Sequence, residues 1–153
     1  MKISTRSEYA AKALLFLAIQ GATHDSTHPA QIQAIAHTCD IPVKYLEQIL
    51  VVLRNQGLLG SRRGVAGGYY LLRSPESISV GEVVRLMDGQ TSIGASLPSC
   101  DENKPSCRAL RQLWDEVDAA ISKTLDATTF EDLRGKVVAM QAAGAPADLM
   151  FYI

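Results

Sequence analysis

Residues 41–70 have the sequence IPVKYLEQILVVLRNQGLLGSRRGVAGGYY, which predicts a helix followed by two short strands that are joined by a basic turn. Pro42 suits the first position of a helix, where its missing N–H costs nothing, and Gly57 tolerates the left-handed backbone that closes one. Between them, apolar side chains recur at helical spacing: Tyr45, Leu46, Ile49, Leu50 and Leu53. The helix therefore has one face for packing and another that is free to contact a partner.

The two strands, predicted at residues 58–62 and 69–73, flank the turn RGVAGG of residues 63–68. Arg62 and Arg63 bring positive charge to this turn, and Gly64 and Gly67 keep its backbone thin enough to approach phosphates or a narrow minor groove. Either piece alone is also compatible with a surface hairpin beside a core helix. Together, behind a second short helix, they predict the winged helix-turn-helix of a DNA-binding protein.

The residues before this stretch predict the helices that support it. Thr5 and Glu8 fit a capping box that starts a helix, whose apolar stripe ends near Gly21. Pro29 suits the start of a second helix that ends near Cys39, and a short turn then leads into the proposed recognition helix. Cys39 lies where two helices are expected to meet, and we predict that its thiol is a buried packing group.

After the wing, Ser79 and Glu82 fit another capping box, which starts a helix ending at residues 88–89. Residues 90–106 are rich in Ser, Gly, Pro and charges, and they predict an exposed loop that holds Cys100. Loops of this length in a compact chain are usually functional or disordered. The chain is therefore divided into a winged helix-turn-helix domain at residues 1–89 and a sensor loop at residues 90–106.

A long amphipathic helix is predicted after the loop, with one apolar stripe: Ala109, Leu110, Leu113, Trp114, Val117, Ala120, Ile121 and Leu125. This stripe has no obvious place on a winged-helix core, so we expect it to pair with its copy in a second subunit; the alternative is that it folds back over its own domain. Thr128 and Glu131 fit a third capping box, which opens a short helix. Residues 107–133 are thus the predicted dimerisation helices, and residues 134–153 are the C-terminal tail. The fold class is mainly α with a small β-hairpin wing.

Length and composition bound the class of protein. A chain of 153 residues, 47% of them hydrophobic, can bury one good core. Because it has neither an apolar run of membrane-spanning length nor a signal peptide, we expect a cytoplasmic protein with no membrane partner. The net charge of −1 is unevenly divided, with eight Lys/Arg against four Asp/Glu in residues 1–75 and seven against twelve in residues 76–153. The basic half holds the proposed DNA-binding elements.

The sequence gives less support to two other functional classes, an enzyme and a protein-binding module. An enzyme is not indicated, because the sequence has no Ser/His/Asp arrangement, no GxxxxGK[ST] phosphate loop and no paired carboxylates in a helical metal motif. The glycines of residues 64–68 join strands instead of opening a helix, so they do not predict a nucleotide site. A winged-helix module that binds protein and no longer DNA is the remaining competitor, and the basic N-terminal half speaks against it.

Four stretches carry a resemblance to a known family: the opening MKISTRSEYAAKALLFLA, the helix IPVKYLEQIL, the wing RRGVAGGYYLLRSPESISVGEVV, and LW with TTFEDL in the C-terminal helices. Over residues 1–133 the chain resembles the IscR/NsrR/CymR family of bacterial regulators, the Rrf family of winged helix-turn-helix proteins. The resemblance implies a transcriptional regulator that forms a homodimer, crossed through the long C-terminal helix, and binds a roughly two-fold symmetric double-stranded DNA operator.

The same resemblance implies the residues that contact DNA. Tyr45, Glu47 and Gln48 would lie on the recognition helix, and Arg63 in the wing. Glu47 can accept from a cytosine amino group, Gln48 can pair with adenine or only cap its own helix, and Arg63 can enter a narrow minor groove. Three further cations would contact phosphates, which position the dimer without specifying sequence: Lys44, Arg54 and Arg62.

Three interpretations of the loop cysteines stay open. Family members often hold an iron–sulfur cluster through three cysteines, but only Cys100 and Cys107 are present here. Some relatives add a carboxylate from the partner subunit at the position of Glu8, and a [2Fe–2S] cluster would still need a fourth ligand. Alternatively, the two thiols close a disulfide that acts as a redox switch, which a nearby Arg108 would favour. In the third interpretation the thiols are idle, and another effector or a regulatory protein partner controls the protein.

Overall fold

The computed structural model describes residues 3–23, 25, 29–89, 92 and 100–144. These residues form six α-helices, one antiparallel hairpin and a short 3₁₀ turn: α1 (Thr5–Gln20), α2 (Ile32–Cys39), α3 (Val43–Asn55), β1 (Leu59–Arg62), β2 (Gly68–Leu71), the 3₁₀ turn (Pro75–Ser77), α4 (Val80–Asp88), α5 (Pro105–Ala127) and α6 (Phe130–Ala142). The predicted mainly α fold with a hairpin wing is confirmed. Most of the predicted sensor loop and the end of the tail, residues 90–91, 93–99 and 145–153, lie outside the described residues.

Helix α1 is capped by Ser4 and not by Thr5, so the predicted capping box is wrong by one residue. The Ser4 hydroxyl accepts a hydrogen bond from the N–H of Ser7 at 3.1 Å. The carboxylate of Asp88 holds the same residue, accepting from the Ser4 N–H at 3.1 Å and from the Ser4 hydroxyl. Burial opposes ionisation of this carboxyl, but the bonds from Ser4 outweigh it and lower the pKa of Asp88. The start of α1 is thereby fastened to the end of α4.

Helix α2 begins at Ile32 and not at Pro29, because the residue after the proline pairs with the wing. Ala30 exchanges two backbone hydrogen bonds with Tyr69, of 2.9 and 2.8 Å, which requires an extended backbone there. The helix ends at Cys39, as predicted, and Asp40 turns the chain towards α3 in a left-handed conformation with φ 53°. In α3 the predicted proline is the N-cap residue, one position before the first helical residue.

The wing is paired on more than one side. Strands β1 and β2 are antiparallel, with Gly60 opposite Tyr70. The other side of β2 bonds to the chain around α2: Tyr69 pairs with Ala30, and the N–H of Leu71 donates to the carbonyl of residue 22 at 2.8 Å. The hairpin is therefore part of the domain and not a free ribbon.

The hydrophobic core lies between α1, α2, α3 and the hairpin, and α4 and α6 pack on α1. Its large, fully buried side chains come from most of these elements: Leu14, Leu17, Ile35, Leu46, Ile49, Leu50, Leu53, Leu58, Leu59, Ile78, Val83 and Phe130. Cys39 is buried in the same core, and its thiol donates to the carbonyl of Lys12 at 3.7 Å, as expected for a packing residue. One face of α3 is thus fixed against the core, which leaves the opposite face to solvent.

The C-terminal helices differ in how they attach. Helix α5 has 23 residues and none of them is buried, whereas α6 buries Phe130 and Val137. The capping box of α6 is formed by Thr129 and Asp132, one residue after the predicted pair, with bonds of 3.1 Å to the Thr129 hydroxyl and 2.9 Å to the Asp132 carboxylate. The helix continues to Ala142, and so extends into the predicted tail.

The C-terminal end of α5 is fixed to α4. Arg85 of α4 pairs with Asp126 of α5 at 2.7 Å. Next to this pair, the N–H of Val80 donates to the carbonyl of Thr128 at 2.9 Å, and the N–H of Phe130 donates to the carbonyl of Ile78 at 3.0 Å. The opposite end of α5 begins at Pro105, roughly 33 Å away along the helix axis. The C-terminal end of the helix is thereby fixed to the winged helix-turn-helix domain.

Candidate nucleic-acid interface and cysteine pair

The outer face of α3 presents the residues that were predicted to contact DNA bases. Lys44, Glu47 and Gln48 are exposed, while the leucines and the isoleucine of the same helix are buried. Tyr45 does not join the buried stripe on which its spacing placed it. It is 47% exposed, and its ring packs edge-on against Tyr9 with 5.9 Å between ring centres. Tyr45 is therefore available to a partner and is oriented by α1.

A groove of about 500 Å³ lies beside this face, between the start of α2, the end of α3 and the wing. Its lining includes five of the residues predicted to contact DNA: Arg54, Arg62, Arg63, Gly64 and Gly67. The three arginines are exposed, and the guanidinium of Arg62 lies 6.0 Å from the ring centre of Tyr70, within the range of a cation–π contact. Positive charge around a concave surface favours a polyanion such as a nucleic-acid backbone.

Two contacts that the sequence did not predict hold the wing against α2. Gln31, the N-cap residue of α2, donates from Nε2 to the carbonyl of Val65 at the tip of the wing, at 3.1 Å. At the base of the wing, a Cβ on Gly68 would overlap the carbonyl oxygen of Ala30, so only glycine allows β2 to approach this closely. The sequence signal for this approach is the glycine pair at residues 67–68, whereas no local pattern marks Gln31.

Cys100 and Cys107 form a disulfide whose Cα atoms are 5.9 Å apart, an ordinary separation for such a bridge. The structure thus contains the disulfide of the second interpretation of the loop, whereas its action as a redox switch stays a prediction. The closed ring is ordered internally, because the Asp101 carboxylate accepts from the backbone and side-chain N–H groups of Asn103, both at 3.0 Å. Cys107 lies in the first turn of α5 and is partly buried, whereas Cys100 precedes the helix and is exposed.

The residues of one chain do not fit an iron–sulfur cluster. In the described part of the chain, no three or more His, Cys, Asp or Glu side chains are grouped so that they could hold a metal ion, and both loop thiols are used in the disulfide. The carboxylate of Glu8, the predicted third ligand, lies 3.8 Å from the ammonium group of Lys12 in the same helix. A cluster needs four ligands, and the described residues of one chain do not supply them.

The apolar stripe of α5 stays largely open. Leu110 and Leu113 are 52% and 46% exposed, and Trp114 and Val117 are only partly buried. Near the fixed end of the helix is a shallow apolar depression of about 310 Å³, lined by Ala120, Ile121, Thr124 and Leu125. The stripe is therefore not folded into the core of its own domain. Among the described helices, none is both long enough and apolar enough to cross a membrane.

Comparison with known proteins agrees with this geometry. The family described as "Rrf2: Iron-dependent Transcriptional regulator" matches residues 3–136. The HTH-type transcriptional regulator CymR of Bacillus subtilis (strain 168) is 35% identical over 153 residues, which is 100% of both chains. The solved structure of CymR, the global cysteine regulator of B. subtilis, gives a TM-score of 0.75 at 34% identity, over 89% of this chain and 98% of that one. The structure of T. potens IscR gives a TM-score of 0.69 at 32% identity, over 89% of this chain and 88% of that one.

Proposed function

The chain belongs to the Rrf2 family of transcriptional regulators, and from that premise we propose that it acts as a homodimer whose affinity for a two-fold symmetric DNA operator is controlled by the Cys100–Cys107 disulfide. The predicted family is confirmed. The matched relatives regulate transcription and are not enzymes, in agreement with the absence of catalytic motifs from the sequence.

The observation that carries the proposal is the joint surface of α3 and the arginine-lined groove beside it. With α3 in the major groove, Glu47 and Gln48 would face base edges, and Arg63 on the wing would reach the adjacent minor groove. The phosphates between these grooves would be contacted by Lys44, Arg54 and Arg62. The bond from Gln31 to the wing supports this division, because it keeps the wing at a set distance from α2.

The open stripe of α5 supports the homodimer. Two copies of a helix with a continuous apolar face bury it by crossing about a two-fold axis, where each residue meets its own counterpart or a neighbour. Two DNA-binding domains held in this way would contact two half-sites, and the distance between the α3 helices would set the spacing of the operator.

The disulfide lies at the N-terminal end of α5, far from the end that is fixed to α4, so it can change the geometry of such a dimer. When the bond is closed, residues 100–107 form a ring on the first turn of the helix. Reduction opens the ring and lets the start of α5 rearrange, while Arg85 and Asp126 still hold the other end. The separation of the two α3 helices then changes with the redox state. In a cytoplasm kept reducing by small thiols, a closed disulfide is a signal and not a permanent crosslink.

The test compares operator binding by oxidised and reduced protein. The DNA is selected from a random-sequence pool with each form separately, and affinity is then measured with and without oxidant. We expect a difference of at least about tenfold, or about 1.4 kcal/mol, in the natural chain and none in the C100S/C107S double variant. Cys39→Ala is the control, since its thiol is buried far from the loop in sequence and should leave the redox difference intact. An unchanged redox difference in the double variant would remove the loop from the sensing mechanism.

Two competing functions are decided by further measurements. The family description includes iron dependence, so iron and sulfide are measured in protein purified without oxygen. Near-stoichiometric amounts of both, with a visible charge-transfer band, would replace the disulfide by a cluster as the controlling group. A protein-binding module would show no steep loss of DNA affinity with added salt. In a regulator with three phosphate-contacting cations, the logarithm of the binding constant should fall steeply with the logarithm of the salt concentration, and neutralising each cation should reduce that slope by about one.

A further inference from the structure

We propose that the two sulfurs of the disulfide have different chemical roles: Cys100 is the site at which a low-molecular-weight thiol attacks and becomes attached, and Cys107 is the leaving and resolving sulfur. This inference rests on the proposed disulfide control and adds the chemistry that operates it. The reversible modification site of the protein is then Cys100, and the reactant is a small thiol.

Access distinguishes the two sulfurs. Thiol–disulfide exchange needs the incoming thiolate to approach one sulfur from the side opposite the other. Cys100 is exposed and precedes α5, whereas Cys107 is partly buried within the first helical turn. The backbone around Cys107 is also fixed, since its N–H donates to the carbonyl of Lys104 at 3.0 Å. Cys100 is therefore the more accessible of the two residues to an incoming thiolate.

The electrostatics of the ring favour Cys107 as the leaving group. It is the third residue of a 23-residue helix whose first turn contains no acidic residue and whose N-cap, Lys104, makes no side-chain capping bond. A thiolate released there lies at the positive end of the helix dipole, which stabilises it, and the next residue in the chain is the cation Arg108. The acidic residue Glu102 of the ring is 3.3 Å from Arg111, which balances its charge. Cys100, in contrast, lies outside the helix and is followed by the acidic residue Asp101.

The exchange step is balanced without an external oxidant. The thiolate of the small thiol forms a bond to Sγ of Cys100, the bond between Cys100 and Cys107 breaks, and its electron pair leaves on Sγ of Cys107. The product is a mixed disulfide on Cys100 and a thiolate on Cys107. Cys107 can then attack Cys100 and expel the small thiol, which restores the ring. Alternatively, a second small thiol attacks the sulfur of the attached small thiol, and the thiolate of Cys100 leaves. Both cysteines are then reduced, and the two small thiols, which have supplied the two electrons, are joined in a disulfide.

The first test locates the attached thiol. The full-length disulfide form is exposed to glutathione for increasing times, quenched with acid, alkylated and mapped by mass spectrometry. We expect glutathione on Cys100 and an alkylated Cys107, in roughly fivefold or greater excess over the reverse pattern, because attack favours the exposed sulfur and the more stable leaving thiolate. Attachment to Cys107, or equal attachment to both residues, would overturn the proposal.

The second test does not require the mixed disulfide to accumulate, and it decides the case if none is trapped. Reduced C100S and C107S are alkylated with iodoacetamide as a function of pH. Because access scales the rate at every pH, the comparison uses the shape of each profile: Cys107 in C100S should reach its half-maximal rate at lower pH than Cys100 in C107S. Adding Arg108→Gln to C100S should slow the reaction, whereas Lys123→Gln, near the other end of α5, should not. Identical profiles for the two cysteines would refute the inference.

The two proposals can fail separately. If glutathione attaches to Cys100 but DNA affinity is the same for oxidised and reduced protein, the assignment of the sulfurs stands and the proposed control of DNA binding fails. If DNA affinity depends on the disulfide but both cysteines react equally, the proposed function stands and the assignment fails.

Discussion

Replacing Gly68 with alanine tests whether the wing must lie against α2. At this position φ is +157°, and a Cβ would overlap the carbonyl oxygen of Ala30. Backbone atoms cannot rotate away as a side chain can, so β2 has to move and the two hydrogen bonds between Ala30 and Tyr69 are lost. Each backbone bond contributes about 0.5–1.5 kcal/mol net. With a further contribution of roughly 1 kcal/mol from the unfavourable φ, the free energy of unfolding should fall by about 2–4 kcal/mol.

Urea unfolding followed by circular dichroism measures this loss, and Gly64→Ala is the matched control. Gly64 lies in the same turn with φ +105°, but a Cβ there would meet no atom within 4 Å. Its replacement should therefore show only the backbone strain, about 1–2 kcal/mol. A loss of less than about 0.5 kcal/mol for Gly68→Ala, or equal losses for the two variants, would refute the argument that β2 is held by close approach to residue 30.

Three further predictions concern Gln31, Cys39 and Asp126. Gln31→Ala should weaken operator binding by roughly two- to tenfold through loss of its bond to the wing, with little change in stability, while Gln33→Ala in the same groove lining should weaken it less. Burial raises the pKa of Cys39 from 9.0 to about 11, so the unfolded chain releases this proton first. As the pH rises from 9.0 to about 11, the free energy of unfolding should therefore fall by up to about 1.4 kcal/mol per pH unit. Cys39→Ala should remove this contribution when the pH profiles of the two proteins are compared. Asp126→Asn should lower stability by less than about 1 kcal/mol, because both partners of its ion pair are partly exposed. It should nevertheless reduce the difference in operator affinity between oxidised and reduced protein, whereas Glu116→Gln on the same helix should not.

The periodic features of the sequence predicted the fold well, and the errors have a common cause. The apolar spacing of α3 predicts its buried face except at Tyr45, which has apolar spacing and is nevertheless 47% exposed. The caps of α1 and α6 were each misplaced by one residue, because STRSE and TTFED offer two overlapping capping frames. The frame at Ser4 is selected by Asp88, 84 positions away in the chain. A local pattern cannot contain that information.

The same limit applies to the candidate site. The exposed residues of α3 and the arginines of the wing follow from local sequence, as does the packing role of Cys39. The late start of α2, at Ile32, does not follow from local sequence, since Ala30 is kept out of the helix by its pairing with Tyr69. The spacing of Cys100 and Cys107 allows a cluster as well as a disulfide, and the bond between the two sulfurs is seen only in the three-dimensional structure.

The pairing of β2 on both sides also bears on solubility. An isolated hairpin exposes two strand edges, each of which can recruit strands from other molecules. Here the edge of β2 is occupied by residues 22–23 and 30, which leaves β1 as the open edge in the described part of the chain. That strand has only four residues and carries Arg62, and both properties oppose strand addition. Detaching β2 would instead expose an edge that bears Tyr69 and Tyr70, so wing variants of this protein should aggregate under conditions in which the helical core is still folded.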